Sequence, residues 1–405
     1  MTKYIYKKHA KIYIIIIIFL ILLLSAILSD NKICFAKTDK DAEEILEENI
    51  ENNLSDIDMS KLEELFDNIS EDYKTLFGKD VVDTAKQIIY GKYEGGFDDF
   101  LNIMLKGLSK SILDILPTIL TIVAIAILYS LLGGFTSGFV QKPTEKLIYF
   151  ATYSTMILIV MVEVGKVIKL TTNTISNISI LMQAIFPILL TMTTLLGGVT
   201  TSAVFKPMMT TLVTIITVFI SKIIIPMFIA VIAFSIVGNL TKSVKLDKLT
   251  EFFKSSATYI LGGVFSLFVA FLTFQGLTGG VIDSISIKTA KFAMQSYIPV
   301  LGGYLSDGFD LMLASLVLIK NSIGVIGLIM ILSIIALPTI KIIVLSLGLK
   351  LASGIIEPVC DNKFSKMLSN IASNMTLLII SLVGAGFMFL ITIMLIIYTS
   401  NGGII

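Results

Sequence analysis

Few side chains in this sequence could do chemistry inside an apolar matrix, and they fall at recognisable places. Asp114, Glu163, Lys222 and Lys341 are the ionisable residues nearest the middle of long apolar runs. A charge at that depth is costly unless it is paired, snorkels to an interface or faces water. The end of a membrane span accounts for Asp114 and Glu163. Lys222 and Lys341 instead sit beside Pro226 and Pro338. Proline removes a helix donor and kinks or breaks the helix. Both lysines are therefore expected to face protein or water rather than lipid, in broken or paired half-helices.

A second constellation is a one-sided polar stripe. Thr172, Ser176, Ser179 and Gln183 are four, three and four residues apart, which places them on one helix face. The stripe runs into Met182-Gln183-Ala184-Ile185-Phe186-Pro187-Ile188-Leu189. The pattern returns as Met294-Gln295-Ser296-Tyr297-Ile298-Pro299-Val300-Leu301, preceded by Ser284, Lys288, Lys291 and Gln295. Pro226 and Pro338 keep the same offset of 112 residues. Downstream, Lys248-Leu249-Thr250 matches Lys363-Phe364-Ser365, and Ala257 falls opposite Ala372, the offset having grown by three. Internal repeats are a common transporter plan, with the working site between the halves. The same pattern fits an inert duplication or an amphipathic helix lying on the membrane. The residues that could form a pathway or interface are Gln183, Pro187, Lys222, Pro226, Lys288, Lys291, Gln295, Pro299, Pro338 and Lys341.

Other chemistries lack their parts. His9 is the only histidine and lies in the leader, so a His-based triad or zinc site cannot be built downstream. Cys34 and Cys360 form no disulfide framework. Every basic side chain apart from His9 is lysine, which removes bidentate arginine clamps. There is no P-loop lysine motif and no GxGxxG after a strand. No catalytic, cofactor or metal site is expected, and the chain does not read as an enzyme. Net charge is +1, which gives no electrostatic case for nucleic acid.

The elements that must position these residues are helices in a bilayer. The chain is 55% hydrophobic and 15% charged, with a mean hydropathy of +0.91. Soluble domains carry about 25% charged residues. Lys3, Lys7, Lys8 and Lys11 precede an apolar run from Ile12 to Leu28 interrupted only by Ser25, and Cys34-Phe35-Ala36 offers small residues to a signal peptidase. Residues 1–36 read as a signal peptide, an uncleaved anchor being the alternative. Cleavage predicts a membrane-bound protein whose N-terminal sequence begins at Lys37. Recovery of an intact Met1 terminus would contradict it.

Residues 37–110 form an acidic extracytoplasmic segment. Leu62, Leu65, Phe66, Ile69, Tyr73, Leu76 and Phe77 recur there with a helical period. Gly91, Gly95 and Gly96 break the pattern, and Phe97 opens a second amphipathic stretch. The segment is short for an independent core and should pack on the membrane face or on a partner. Residues 111–169 read as a first transmembrane pair, 170–280 as membrane repeat 1 and 281–405 as membrane repeat 2. Spans are expected near 115–133, 147–166, 178–197, 209–239, 255–277, 322–350 and 374–398, with 296–320 as an eighth at most. The fold class is therefore all-α, a polytopic helical membrane protein of about seven spans, plus or minus one. Gln275, Gly276, Gly279 and Gly280 end a span and read as a turn into the next loop, close helix packing by small-xxx-small spacing being the alternative. The lysines around 242–254 and 363–366 place both loops in the cytoplasm. That requires an even number of crossings per repeat, so that one element, 209–239 being the first candidate, would be a hairpin or another re-entrant.

The run Ser284-Ile-Ser-Ile-Lys-Thr-Ala-Lys-Phe-Ala-Met-Gln-Ser-Tyr-Ile-Pro-Val-Leu-Gly-Gly303, together with Ala314-Ser-Leu-Val-Leu-Ile-Lys-Asn-Ser-Ile-Gly-Val-Ile-Gly327, resembles the stage III sporulation protein AE family of endospore-forming bacteria. The order of leader, acidic segment and polytopic region resembles it too. The resemblance implies a mother-cell membrane protein facing the forespore, in a secretion-like or feeding channel that sustains late forespore gene expression. It implies as partners a cytoplasmic ATPase, ring-forming proteins between the two membranes and a forespore membrane protein. It brings no catalytic residues. A permease-like component and a scaffold anchoring the rings both fit, and an intramembrane enzyme fits less well.

Overall fold

The computed structural model describes residues 40–67, 73, 76–93, 95–136, 142–240, 246–297 and 302–399. The leader lies outside them. The described residues contain no strand. Three short helices, α1 (Lys40–Ser55), α2 (Ser60–Asp67) and α3 (Val81–Ile89), precede α4 (Phe97–Thr136) and α5 (Lys142–Leu195). Then follow α6 (Val199–Phe219), a π-helical turn (Ile220–Ile224), α7 (Ile225–Leu240), α8 (Asp247–Tyr297), α9 (Gly302–Ile356), α10 (Asn362–Asn374) and α11 (Thr376–Thr399). Among the described residues six helical runs are long and apolar enough to cross a membrane: Phe97–Leu132, Lys146–Leu195, Val199–Leu240, Asp247–Thr273, Ser306–Ile356 and Asn362–Tyr398.

Several expected breaks do not occur. The spans at 147–166 and 178–197 belong to one helix, α5. The polar stretch from Lys166 to Asn177 lowers hydropathy, but it contains no proline or glycine to stop the helix. The helix α8 passes through Gly276, Gly279 and Gly280 without the expected turn. From Gly302 onward the stretches expected at 296–320 and 322–350 form one helix, α9, which continues past Pro338. The run 209–239 is no hairpin. The helices α6 and α7 continue one into the other through the π turn, where the Ile225 N–H bonds the Ile220 carbonyl. Pro226 explains that turn: it has no N–H for the carbonyl four residues back, and the wider turn makes room for its ring.

The central element is α9. It packs on α4, α5, α8, α10 and α11, and also on α1 and α3 of the acidic segment. From Leu313 to Ile340 none of its side chains is exposed, and α11 exposes only Tyr398 among its described residues. These two antiparallel helices are therefore solvated by protein. The outer apolar surface is supplied by others, such as Leu113, Leu116, Leu120 and Leu128 on α4 and Leu147, Phe150 and Leu158 on α5. Glycines bring the inner helices close. Gly324 and Gly327 on α9 meet Ile397 and Ile185, and Gly386 on α11 meets Ile335.

One end of the bundle is basic. Lys363 lies 5.5 Å over the Tyr149 ring, and Phe364 packs between Tyr129, Tyr149 and Tyr153. The Tyr153 hydroxyl donates to the Ile236 carbonyl at 2.8 Å, and Lys254 Nζ to the Ser373 carbonyl at 3.2 Å. These contacts collect the end of α4, the start of α5, the end of α7, the start of α8 and α10 at one level. The helix α9 has 55 residues, which at 1.5 Å per residue is about 80 Å. A hydrocarbon layer of about 30 Å covers less than half of that.

Candidate functional site

The acidic segment folds against the bundle rather than apart from it. Asp80 caps α3 by accepting from the Asp83 N–H, and Gly91 takes a φ of 65° where that helix ends. Phe66 meets Phe77 edge-on at 5.3 Å, over buried Leu62, Val81 and Ile89. The Tyr93 hydroxyl donates to the Leu76 carbonyl at 2.6 Å. Burial, with the Asp99 carboxylate adding to it, pushes that phenol up to about 12, so it stays a donor. The segment's apolar residues are contiguous with the membrane core, and α2 rests on α5.

Between the segment and the bundle lies an open groove. One cavity of about 830 Å³ is bounded by Lys61, Glu64, Leu65 and Tyr73 above, by Asn173, Asn177, Ile180 and Gln183 of α5, and by Ser333, Ile334, Leu337 and Pro338 of α9. A second of about 510 Å³ shares Lys61, Gln183 and Ala184, and continues along Pro187, Ile188 and Thr191 beneath Asn53, Asp56 and Asp58. The α5 positions 173, 177, 180, 184, 187 and 191 recur every three or four residues, so one helix face forms the floor. Gln183 Nε2 donates to Ser179 Oγ at 3.2 Å, which holds the amide along this face. On the α9 side, Pro338 has no N–H to give the Ile334 carbonyl. The buried Ser333 Oγ beside it has no hydrogen-bond partner among the described residues. The α9 wall of the groove therefore carries polar groups that the described residues leave unmet.

The groove unites Gln183, Pro187 and Pro338. Lys222, Pro226 and Lys341 do not line it; each is exposed on an outer surface. Thr172 bonds back to the Ile168 carbonyl, and Ser179 is buried. Lys288, Lys291 and Gln295 lie on the α8 backbone, but their side chains, like Pro299, fall outside the described residues. Glu163 pairs with Lys166 at 2.8 Å and accepts from Thr118 at 3.4 Å. The sequence reading missed Lys320. It is fully buried on α9, and its Nζ donates to the Ile397 carbonyl at 2.9 Å.

A family model described as stage III sporulation protein AE matches residues 79–400. The chain belongs to this family. It is 24% identical over 366 residues to the stage III sporulation protein AE of Bacillus subtilis (strain 168), covering 90% of this chain and 92% of that protein. No solved structure matches it. Family and fold together make the chain a polytopic helical membrane protein of sporulation. The match covers the α5 floor and α9, and begins at Lys79, after α2.

The exposed lysines give a direct test. Cysteine placed at Lys222 or Lys341 is expected to react with a membrane-impermeant thiol reagent in intact vesicles. Background from Cys360 is low, because burial and the neighbouring Asp361 charge push its thiol up to about 11. Labelling only by a lipid-soluble reagent would mean that these lysines snorkel past lipid.

Proposed function

We propose that this chain is a permease-like membrane component of the channel joining mother cell and forespore, required for late forespore development. The observation that carries the reading is the groove, in which the polar face of a membrane-length helix stays open beneath the acidic segment. A polar stripe facing bare lipid would be costly, whereas this one lines a space large enough for a hydrated solute or a strand of polypeptide. Lys288, Lys291, Gln295 and Pro299 would supply the second repeat's share of the path. The basic end would face the mother-cell cytoplasm, where a separate ATPase supplies energy, and the acidic segment would lie outside, towards the ring proteins.

The test is Gln183→Leu with Asn177→Leu, made in sporulating cells and checked for normal membrane levels. Loss of late forespore gene expression with the complex assembled is expected. Normal expression would remove the groove from the mechanism. A scaffold role is favoured by one observation, that α1 and α3 are anchored on the central helix α9 while Glu44, Glu47 and Glu48 remain exposed. Replacing those three with Lys should then release the ring proteins and leave the groove variants without effect.

A further inference from the structure

At the basic end a cavity of about 710 Å³ opens between α8 and α10, closed behind by Ser235 of α7 and Lys350 of α9. Its walls are layered. Asp247 and Glu251 stand exposed at the mouth, in the first and second turns of α8. Lys254 and Lys350 lie deeper and are half-buried. Lys254 Nζ is bonded to a neutral acceptor, the Ser373 carbonyl. Hydroxyls and amides complete the floor, where Asn374 donates to Ser235 Oγ at 3.1 Å.

The two walls come from corresponding places in the sequence. On α8 they are Lys254, Ser255, Thr258 and Tyr259; on α10 they are Ser369, Asn370, Ser373 and Asn374. Each of the second set lies 115 residues after its counterpart, the offset that aligns Ala257 with Ala372. The cavity also opens sideways. Tyr259 lines it yet is 79% exposed, and one turn on, Gly262 and Gly263 leave a bare strip of α8 with nothing within 4 Å of an added Cβ. Exposed Leu267 and Val269 continue that strip.

We propose that this cavity binds the headgroup of a zwitterionic phospholipid of the phosphate–ammonium type. Lys254 and Lys350 take the phosphate, with the nearby hydroxyls and amides as further partners. Glu251 and Asp247 at the mouth meet the ammonium. The acyl chains leave past Tyr259 and lie along the smooth surface at Gly262 and Gly263. A soluble anion would fill only the inner layer and would face two carboxylates on entry. A lipid with a net negative headgroup would leave those carboxylates unmatched.

The experiment uses the full-length protein purified in detergent and goes beyond the channel reading, because its readout is lipid retention and not sporulation. Phosphatidylethanolamine, phosphatidylglycerol, phosphatidylcholine and inorganic phosphate are titrated separately, with bound lipid counted by mass spectrometry and stabilisation followed by thermal melting. Phosphatidylethanolamine is expected to bind most tightly. Lys254→Gln should weaken it about ten-fold, the scale of one charged hydrogen bond, and Lys254→Arg should restore most of it. Glu251→Gln should narrow the preference over phosphatidylglycerol. The exposed Lys366→Gln, outside the cavity, should change nothing. Equal binding of all three lipids, retention unchanged in a melting-competent Lys254→Gln/Lys350→Gln variant, or stabilisation by phosphate alone would each overturn the proposal.

Discussion

Replacing Lys320 with Glu is expected to prevent accumulation of folded protein, whereas Lys320→Met should accumulate with reduced stability. The last carbonyls of a helix have no partner within it. At this end of α11 the fully buried Lys320 reaches across from α9 to the half-buried Ile397 and donates to its carbonyl at 2.9 Å. A donor at a helix C-terminus also opposes the negative end of the helix dipole. Methionine keeps the volume but leaves a partly buried acceptor unmet, a loss of about 1–3 kcal/mol at most. Glutamate adds a charge facing carbonyl oxygens, where an uncompensated buried ion costs about 3–5 kcal/mol or more. The check is membrane level followed by thermal melting of the purified variants. A Glu variant that melts like the parent would show that Lys320 is not the cap of α11.

Nothing in the sequence pointed to that bond. Lys320 sits inside a recognised motif, and its partner is a backbone carbonyl 77 residues away. Only the sequence of the α11 end could have hinted at it, and a carbonyl is the same in every residue. The class of fold was readable because long apolar runs admit few structures in lipid. Span boundaries were less so. Hydropathy sees Lys166, Lys169, Asn173 and Asn177 as an interruption, while the backbone sees residues that cost a helix only a few tenths of a kcal/mol each. A helix that leaves the hydrocarbon and continues beyond it therefore reads as two spans.

The groove was half legible. The one-sided stripe and the Met-Gln-x-x-x-Pro element gave Gln183 and Pro187, because period alone places them on one face. The opposite wall was not, since docking of α2 on α5 depends on the shape of a small core built from Leu62, Phe66 and Phe77. Proline marked Pro226 and Pro338 equally, yet the two behave differently. At Pro226 the helix widens into a π turn on an exposed surface. At Pro338 the helix keeps its course, and the turn whose carbonyl the proline leaves unmet borders the groove.

Gly327→Leu is expected to destabilise the bundle, and Ile185→Ala should relieve the damage. A Cβ at Gly327 would lie 2.6 Å from Ile185 Cδ1 and 3.3 Å from Ile393 Cδ1. Both isoleucines are fully buried, so neither side chain has open space to move into. Alanine at this site gains about 1 kcal/mol in helix propensity over glycine, which partly offsets its own contact. Leucine forces three further carbons into the seam between α5, α9 and α11, and overpacking of this kind costs about 1–3 kcal/mol or more. Ile185→Ala alone should cost about 2–5 kcal/mol by leaving a cavity. In the double variant the leucine fills that cavity, so the combined loss should be smaller than the two single losses together. Melting of the four proteins in one detergent measures the coupling. Additive losses would mean that α5 and α9 do not meet at this seam. Ile185 lies two residues from Gln183 on α5, so the same leucine should shift the groove wall, and late forespore gene expression should recover with stability in the double variant.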